Sequence, residues 1–297
     1  MIQRIVTGFI FTLVIALFIV PGYWVTWVPI ILFVIVALMA SRELVQAVQF
    51  KGLKPNAALV SIGSLLMLLP LLGSYFFRSE HRGNEIGFTD QIAGGFALMS
   101  FALLAFMIFT VIGIMIKRGP DSLPDAVATA AIIAYIAFPL SCPVLLTDQV
   151  KGGFLWLLVG LASPWISDVF AYFTGSLLGK HPIVPTISPK KTLEGCIGGI
   201  IGCMLVVPLI FFLFGNTLGQ QHPMDWTGAL FAAVSGLILS IASQFGDWLA
   251  SGIKRWCGVK DFGKIMPGHG GIMDRFDSAF FTLPMALVLA VVYQVIL

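Results

Sequence analysis

"GHGGIMDRFDSAFFTLPMALVLAVVYQVIL", residues 268–297, joins a charged turn to a run that can cross a bilayer. Its first ten residues hold three charged side chains, a histidine and three glycines, whereas 279–296 is apolar throughout apart from a few small polar groups. A helix crosses the hydrocarbon with about 20 apolar residues, and about 17–25 are tolerated. Comparable runs occur at 5–22, 24–40, 57–77, 92–116, 126–146, 153–173, 196–214 and 226–248. Together with 279–296 they predict nine transmembrane helices, the first two sharing the "PGYW" turn at 21–24. Composition agrees, with 58% hydrophobic and 10% charged residues, against roughly 45–50% and about 25% in soluble domains. Mean hydropathy is +0.99. The expected fold class is an all-α integral membrane protein.

An odd number of spans places the termini on opposite faces. In that topology fourteen of the seventeen Lys and Arg residues share the N-terminal side, and only Arg78, Arg82 and Lys151 lie opposite. The positive-inside rule then sets the N-terminus in the cytoplasm and the C-terminus outside, and the expected location is a bacterial-type inner membrane. The net charge of +3 reports this orientation and implies no nucleic-acid partner. Arg4 precedes an apolar run as in a signal peptide, but no small-x-small cleavage site follows before Pro21 and Trp24, so the segment is expected to stay attached. Cys142, Cys196, Cys203 and Cys257 sit in or beside apolar runs without CxxC spacing and read as buried thiols.

Two long loops on the basic side stand out: "TGSLLGKHPIVPTISPKKTLEG" (174–195) and "ASGIKRWCGVKDFGKIMPGHGGIMDRFDS" (250–278). Loops in the first half carry no such cluster, so residues 1–152 read as a transmembrane scaffold and 153–297 as the half that carries chemistry. Gly195, Gly198, Gly199 and Gly202 give small-xxx-small spacing, which serves either packing within the chain or a dimer face.

Acidic residues number only fourteen, so those near spans are informative. Asp168 falls within a span, roughly 8 Å from its end at about 1.5 Å per residue, and an intramembrane carboxylate is a functional candidate by default. Asp247, Ser251 and Lys254 share one face if their helix continues, and Asp274 and Asp277 share another at the start of the last span. The topology brings all four aspartates to one level. Carboxylates beside many Lys and Arg residues suit Mg²⁺, which takes one or two carboxylates and completes its shell with water and substrate phosphates. The basic groups then neutralise the remaining phosphate charge. Gly268, Gly270 and Gly271 flank His269 before a helix start, where backbone amides favour an anion. "GSLLGK" (175–180) lacks the spacing of a P-loop, and His181 stands where Ser or Thr is needed.

The run "SGIKRWCGVKDFGKIMPGHGGIMDRFD" (251–277) closely resembles the signature of phosphatidate cytidylyltransferases, the CDP-diacylglycerol synthases. Ser251, Lys254-Arg255, Lys260-Asp261, His269-Gly270-Gly271 and Asp274-Arg275-x-Asp277 occupy its polar positions; Met266 replaces a usual Leu, Ile or Phe. "SDVFAYFTGSLLGK" and "SPKKTLEG" extend the likeness to 163–277, while the N-terminal half fits in hydropathy and length.

The resemblance implies transfer of the CMP moiety of CTP to phosphatidic acid, giving CDP-diacylglycerol and pyrophosphate in phospholipid biosynthesis. It further implies a Mg²⁺ requirement, with a second, monovalent cation as an option, a homodimer, and a cavity open to cytoplasm and lipid. Carried over residue by residue, Asp247, Asp274 and Asp277 are metal-site carboxylates, with Asp168 a further candidate. Lys254 joins the first three as catalytic. Ser251, Arg255, Lys260, Asp261, His269, Gly270, Gly271 and Arg275 line the phosphates; Lys180, Ser188, Lys190, Lys191, Thr192 and Glu194 line the nucleotide. Two other readings fit the composition. A CTP-dependent polyprenol-type kinase would need a base to deprotonate its acceptor alcohol, and a cation-coupled transporter would spread polar groups through the membrane depth.

Overall fold

The structure, a computed structural model, describes residues 2–72, 88–218, 225–266, 268 and 270–296. It is helical almost throughout, and eight described helical segments are long and apolar enough to cross a membrane. The long helices are α1 (Ile2–Ile19), α2 (Trp27–Phe50), α4 (Phe88–Arg118), α5 (Leu123–Gln149), α6 (Gly153–Leu178), α7 (Leu193–Phe214), α8 (Trp226–Cys257) and α10 (Ala279–Ile296). Two are short: α3 (Ala57–Ser64), continued by a 3-10 turn at Leu65–Leu68, and α9 (Met273–Phe276). The protein is therefore an all-α integral membrane protein. The apolar run expected at 57–77 begins with α3, and its end lies outside the described residues, as do Arg78 and Arg82.

The chain forms two compact units, one of Met1–Gln149 with Lys254–Phe276 and the other of Val150–Ile253 with Asp277–Leu297. In the first, α2, α3 and α5 pack around Phe33, Leu44, Met67, Ile133, Ile136 and Leu140, all under 2% exposed. Polar contacts fix the connection between α2 and α3. Asn56 caps α3 by accepting from Leu59 N at 3.1 Å, and its own N–H donates to Thr129 Oγ1 at 3.0 Å. Lys54 N donates to Asp125 Oδ1 at 2.7 Å, while Arg118 donates to Lys54 O at 3.0 Å. The loop backbone is thereby tied to the start of α5, so its amides are satisfied by named partners.

In the second unit α6, α7, α8 and α10 enclose an aromatic cluster. Trp156 stands edge-on to Phe211, Phe231 and Tyr293, with centroids 5.0, 6.2 and 5.8 Å away. The glycine stripe of α7 lies against α6. A Cβ at Gly198 would overlap Thr174, one at Gly199 would meet Ser167, and one at Gly202 would overlap Phe170. Lipid gives helices little hydrophobic drive to associate, so such close approach and the dispersion contacts it brings carry the pairing. Gly160 does the same for α10, whose Thr282 hydroxyl donates to Gly160 O at 2.6 Å. At the other end of α10, Gln294 Nε2 donates to Lys151 O at 2.6 Å, so the C-terminal end of α10 and the turn before α6 share one end of this unit. Asp225 caps α8, accepting from Gly228 N at 2.8 Å and Thr227 Oγ1 at 2.7 Å, and these donors hold its carboxyl below the usual carboxylate range.

Two local features depart from the pattern of plain helices and loops. The loop after α6 folds into an antiparallel hairpin of β1 (Pro182–Val184) and β2 (Ser188–Thr192). The last apolar segment is also broken: α9 ends at Phe276, residues 277–278 form a turn, and α10 begins at Ala279. Asp274 and Asp277 are therefore not neighbours on one continuous helix. Asp277 Oδ1 takes the N–H of Ser278 at 2.7 Å and its hydroxyl at 3.3 Å, a local bond that competes with helix geometry at that point.

Candidate active site

The signature stretch of the first unit is organised around Asp274. Its Oδ1 accepts from Lys254 Nζ at 2.8 Å, and its Oδ2 accepts the backbone N–H groups of Phe262 at 2.8 Å and Gly271 at 3.0 Å. The side chain is 5% exposed and that of Lys254 14%. Burying this pair is tolerable because ammonium and carboxylate are matched and further hydrogen bonds satisfy the remaining oxygen. The chain can fold so tightly because of its glycines. Gly268 and Gly270 have φ of +80° and +83°, and Met266 and Gly270 form a β-bridge across the turn. The Lys254 ammonium also lies over the Phe262 ring, 5.3 Å from its centroid. Lys51 stands 5.6 Å from the ring centre of Trp256, a second cation held over an aromatic face in the same unit.

The second unit holds a cavity of about 470 Å³ between α6, β2, α7 and α8. Ser167, Asp168, Lys190, Lys191, Thr192 and Gln244 supply its polar groups, while Tyr172 and Trp248 supply aromatic wall. Lys191 is ion-paired with Asp247, their side chains being 26% and 24% exposed. Ser251 donates to Asp247 Oδ1 at 3.3 Å, so α8 does continue through both residues. The same helix runs on through Lys254, whose ammonium is engaged with Asp274. The backbone of Asp277 and Ser278 crosses α8 at Gly246, where a Cβ would come within 3.0 Å of Asp277 O and Ser278 Cα.

The hairpin that brings Lys190 and Lys191 to the cavity is closed at its root. Glu194 Oε2 accepts from Lys180 N at 3.1 Å and His181 N at 3.3 Å, and Oε1 lies 2.6 Å from His181 Nδ1. Thr192 caps α7 by accepting from Gly195 N at 3.2 Å. Glu194 and Thr192 thus shape the hairpin, and Thr192 also faces the cavity. Lys180 is exposed, and Ser188 lies at the start of β2. Arg255, Lys260 and Asp261 are exposed in the signature stretch; Arg275 is half-buried in α9. His269 lies outside the described residues.

Sequence reading missed Ser167, Tyr172, Gln244 and Trp248 as cavity walls. Ser167 bonds Ser240 at 2.8 Å, and Gln244 Nε2 donates to Cys196 O at 3.0 Å, so two of the four help to hold α6, α7 and α8 together. Trp248 Nε1 is shielded from solvent and has no hydrogen-bond partner among the described residues. The only available signal was their position within one or two turns of Asp168 and Asp247.

Among the described residues no three His, Cys, Asp or Glu groups gather as a metal-binding set. Mg²⁺ does not require three, since one or two carboxylates suffice when phosphates and water complete the shell. Asp247, partly exposed and already facing an ammonium, has the charge and access for that role. Asp274 has one N–H donor on Oδ1, leaving acceptor capacity on that oxygen.

The model of the cytidylyltransferase family matches residues 2–293, nearly the full chain. Among curated proteins, a phosphatidate cytidylyltransferase of Staphylococcus saprophyticus is 34% identical over 259 residues, covering 86% of this chain and 87% of its own. Proteins of the same name from Staphylococcus aureus and Staphylococcus epidermidis are each 32% identical, again over 86% of this chain and 87% of theirs. A match of this extent takes in the N-terminal helices as well as the signature stretch, and the chain belongs to the cytidylyltransferase family.

Proposed function

We propose that this protein transfers the CMP moiety of CTP to phosphatidic acid, releasing pyrophosphate and giving CDP-diacylglycerol. The observation that carries this reading is the match over 86% of the chain to proteins named for that activity. The site residues supply chemistry that suits it. A phosphate oxygen of phosphatidate attacks the α-phosphorus of CTP in line, and the bond from that phosphorus to the bridging oxygen of the β-phosphate breaks. The attacking oxygen is already anionic, so neither a nucleophilic side chain nor a strong base is required. What the protein must provide is alignment and charge neutralisation.

In this reading Lys190 and Lys191 receive the triphosphate at the second unit's cavity. The Lys191–Asp247 pair is partly exposed and so can be exchanged: an arriving phosphate draws the ammonium, and Asp247 is freed. Asp274 in the first unit and, in the second, Asp247 with Asp277 and Asp168 as further carboxylates are the candidates for holding Mg²⁺, which when bound would neutralise phosphate oxygens. The Lys254–Asp274 pair keeps the glycine-rich turn in shape, and Arg255, Lys260, His269 and Arg275 are the candidates for binding phosphate. We place this chemistry on the cytoplasmic side of the inner membrane, since the basic loops collect there, and we take the enzyme to act as a homodimer.

The test is an assay of purified protein with CTP, Mg²⁺ and either phosphatidate or a polyprenol. Pyrophosphate released with phosphatidate alone is the expected result. CDP released with the alcohol would replace this reading with that of a lipid kinase.

A further inference from the structure

Glu43 lies in α2, 4% exposed, within a segment that spans the membrane by length and composition. A carboxylate so placed is costly unless it finds donors. Its donors belong to the signature stretch: Oε1 accepts the N–H of Ile272 at 3.0 Å and Oε2 that of Met273 at 2.7 Å. Gly263 and Gly271 close in on the same carboxylate, and a Cβ at either position would overlap it. These glycines therefore serve contact with Glu43, a purpose separate from the positive φ of Gly268 and Gly270.

The bonds interlock with those of Asp274. The consecutive amides of Gly271, Ile272 and Met273 are divided between two carboxylates, the first going to Asp274 and the next two to Glu43. Asp274 follows Met273 directly, so the peptide that carries it is held by Glu43 on one side and by its own bond to Gly271 on the other. We propose that Glu43 is a positioning residue for the reaction: a brace, set in α2, that fixes the backbone of the glycine-rich turn and with it the direction of the Asp274 carboxylate. It touches neither substrate nor metal in this role. The inference rests on the functional reading above only for its kinetic readout.

The experiment uses the full chain in detergent or nanodiscs with Glu43→Gln, Glu43→Ala, Asp274→Asn and the Glu43→Gln/Asp274→Asn double variant. Glutamine keeps the shape of Glu43 but offers one carbonyl oxygen and turns an N–H₂ group toward the second amide. For Glu43→Gln, kcat is expected to fall on the order of tenfold to a hundredfold, the scale of a misplaced reacting group. KM for CTP and phosphatidate should stay within about twofold, with kcat counted per folded, monodisperse protein, because a loss of folded protein alone lowers the apparent kcat at unchanged KM. Hydrogen exchange of the peptide covering 271–274 should speed up in Glu43→Gln and Glu43→Ala, while exchange in α6 and α7 is unchanged. The double variant should be no worse than Asp274→Asn alone, because residues acting through one another are not additive. Wild-type kcat in Glu43→Gln, or losses that simply multiply in the double variant, would overturn the proposal. So would unchanged exchange at 271–274, and that outcome is read without any activity. Should wild-type protein fail to make CDP-diacylglycerol while exchange at 271–274 still responds to Glu43, the functional reading fails and the brace stands.

Discussion

Two lysine–aspartate pairs, one in each unit, are built in opposite ways. Lys254–Asp274 is nearly closed to solvent, and its carboxylate also carries two backbone amides. Lys191–Asp247 is about a quarter exposed at each side chain, and Asp247 also accepts from the Ser251 hydroxyl. Breaking a buried, hydrogen-bonded pair leaves an uncompensated charge, whereas a partly hydrated pair is screened and easily exchanged. The first pair therefore suits holding a backbone in one shape. The second suits giving way when a more highly charged anion arrives.

Substitution at the closed pair should have the largest effect. Asp274→Asn is expected to reduce turnover by more than about a hundredfold, in line with the loss of a preorganised charged group, while the protein still extracts and elutes as folded. Near-normal synthesis of CDP-diacylglycerol by this variant would remove Asp274 from the catalytic set. At the open pair Lys191→Ala should act mainly on binding, raising the apparent KM for CTP on the order of tenfold, or about 1.4 kcal/mol. An unchanged KM would mean that the two pairs do not divide the work as described.

Packing near the cavity gives a smaller and different effect. Gly202→Leu places a side chain where Phe170 already lies, and overpacking of this kind costs about 1–3 kcal/mol. Thermal unfolding should fall by several degrees with a parallel loss of activity, not a selective rise in KM. Smallest of all is the cap of α8. The Asp225 carboxyl is held below its ordinary value, so its stabilisation is present at neutral pH, above the unfolded value, and fades as pH drops through the folded one. Asp225→Ala should lower the melting temperature slightly at pH 7, with the difference from wild type closing in acid; a constant gap would show that the charge is irrelevant.

The spans were legible because hydrophobic runs of membrane length leave few alternatives, and the signature stretch was legible because its polar residues stand out against such a background. The break at Asp277–Ser278 was not, since it comes from a side chain bonding its own neighbour inside an otherwise helical pattern. The hairpin at 182–192 was hidden because its strands are short and each carries a proline, with no alternation to mark them. Glu43 offered one local sign, as the only acidic residue in the first 79. Its role depends on a bond to an amide 229 positions away, which no periodicity reveals. The partner of Lys254 was hidden for a related reason: helix spacing put Lys254 on one face with Asp247 and Ser251, as the continuous helix has it, but gave no sign of the Asp274 carboxylate 20 positions on.

The most direct measurement of the reaction follows two labels in one turnover. With phosphatidate, Mg²⁺ and CTP carrying distinct labels at the α- and γ-phosphates, the α-label should appear in the lipid and the γ-label in free pyrophosphate. A γ-label in the lipid, with the α-label leaving in CDP, would contradict cytidylyl transfer and reassign this site to phosphoryl transfer.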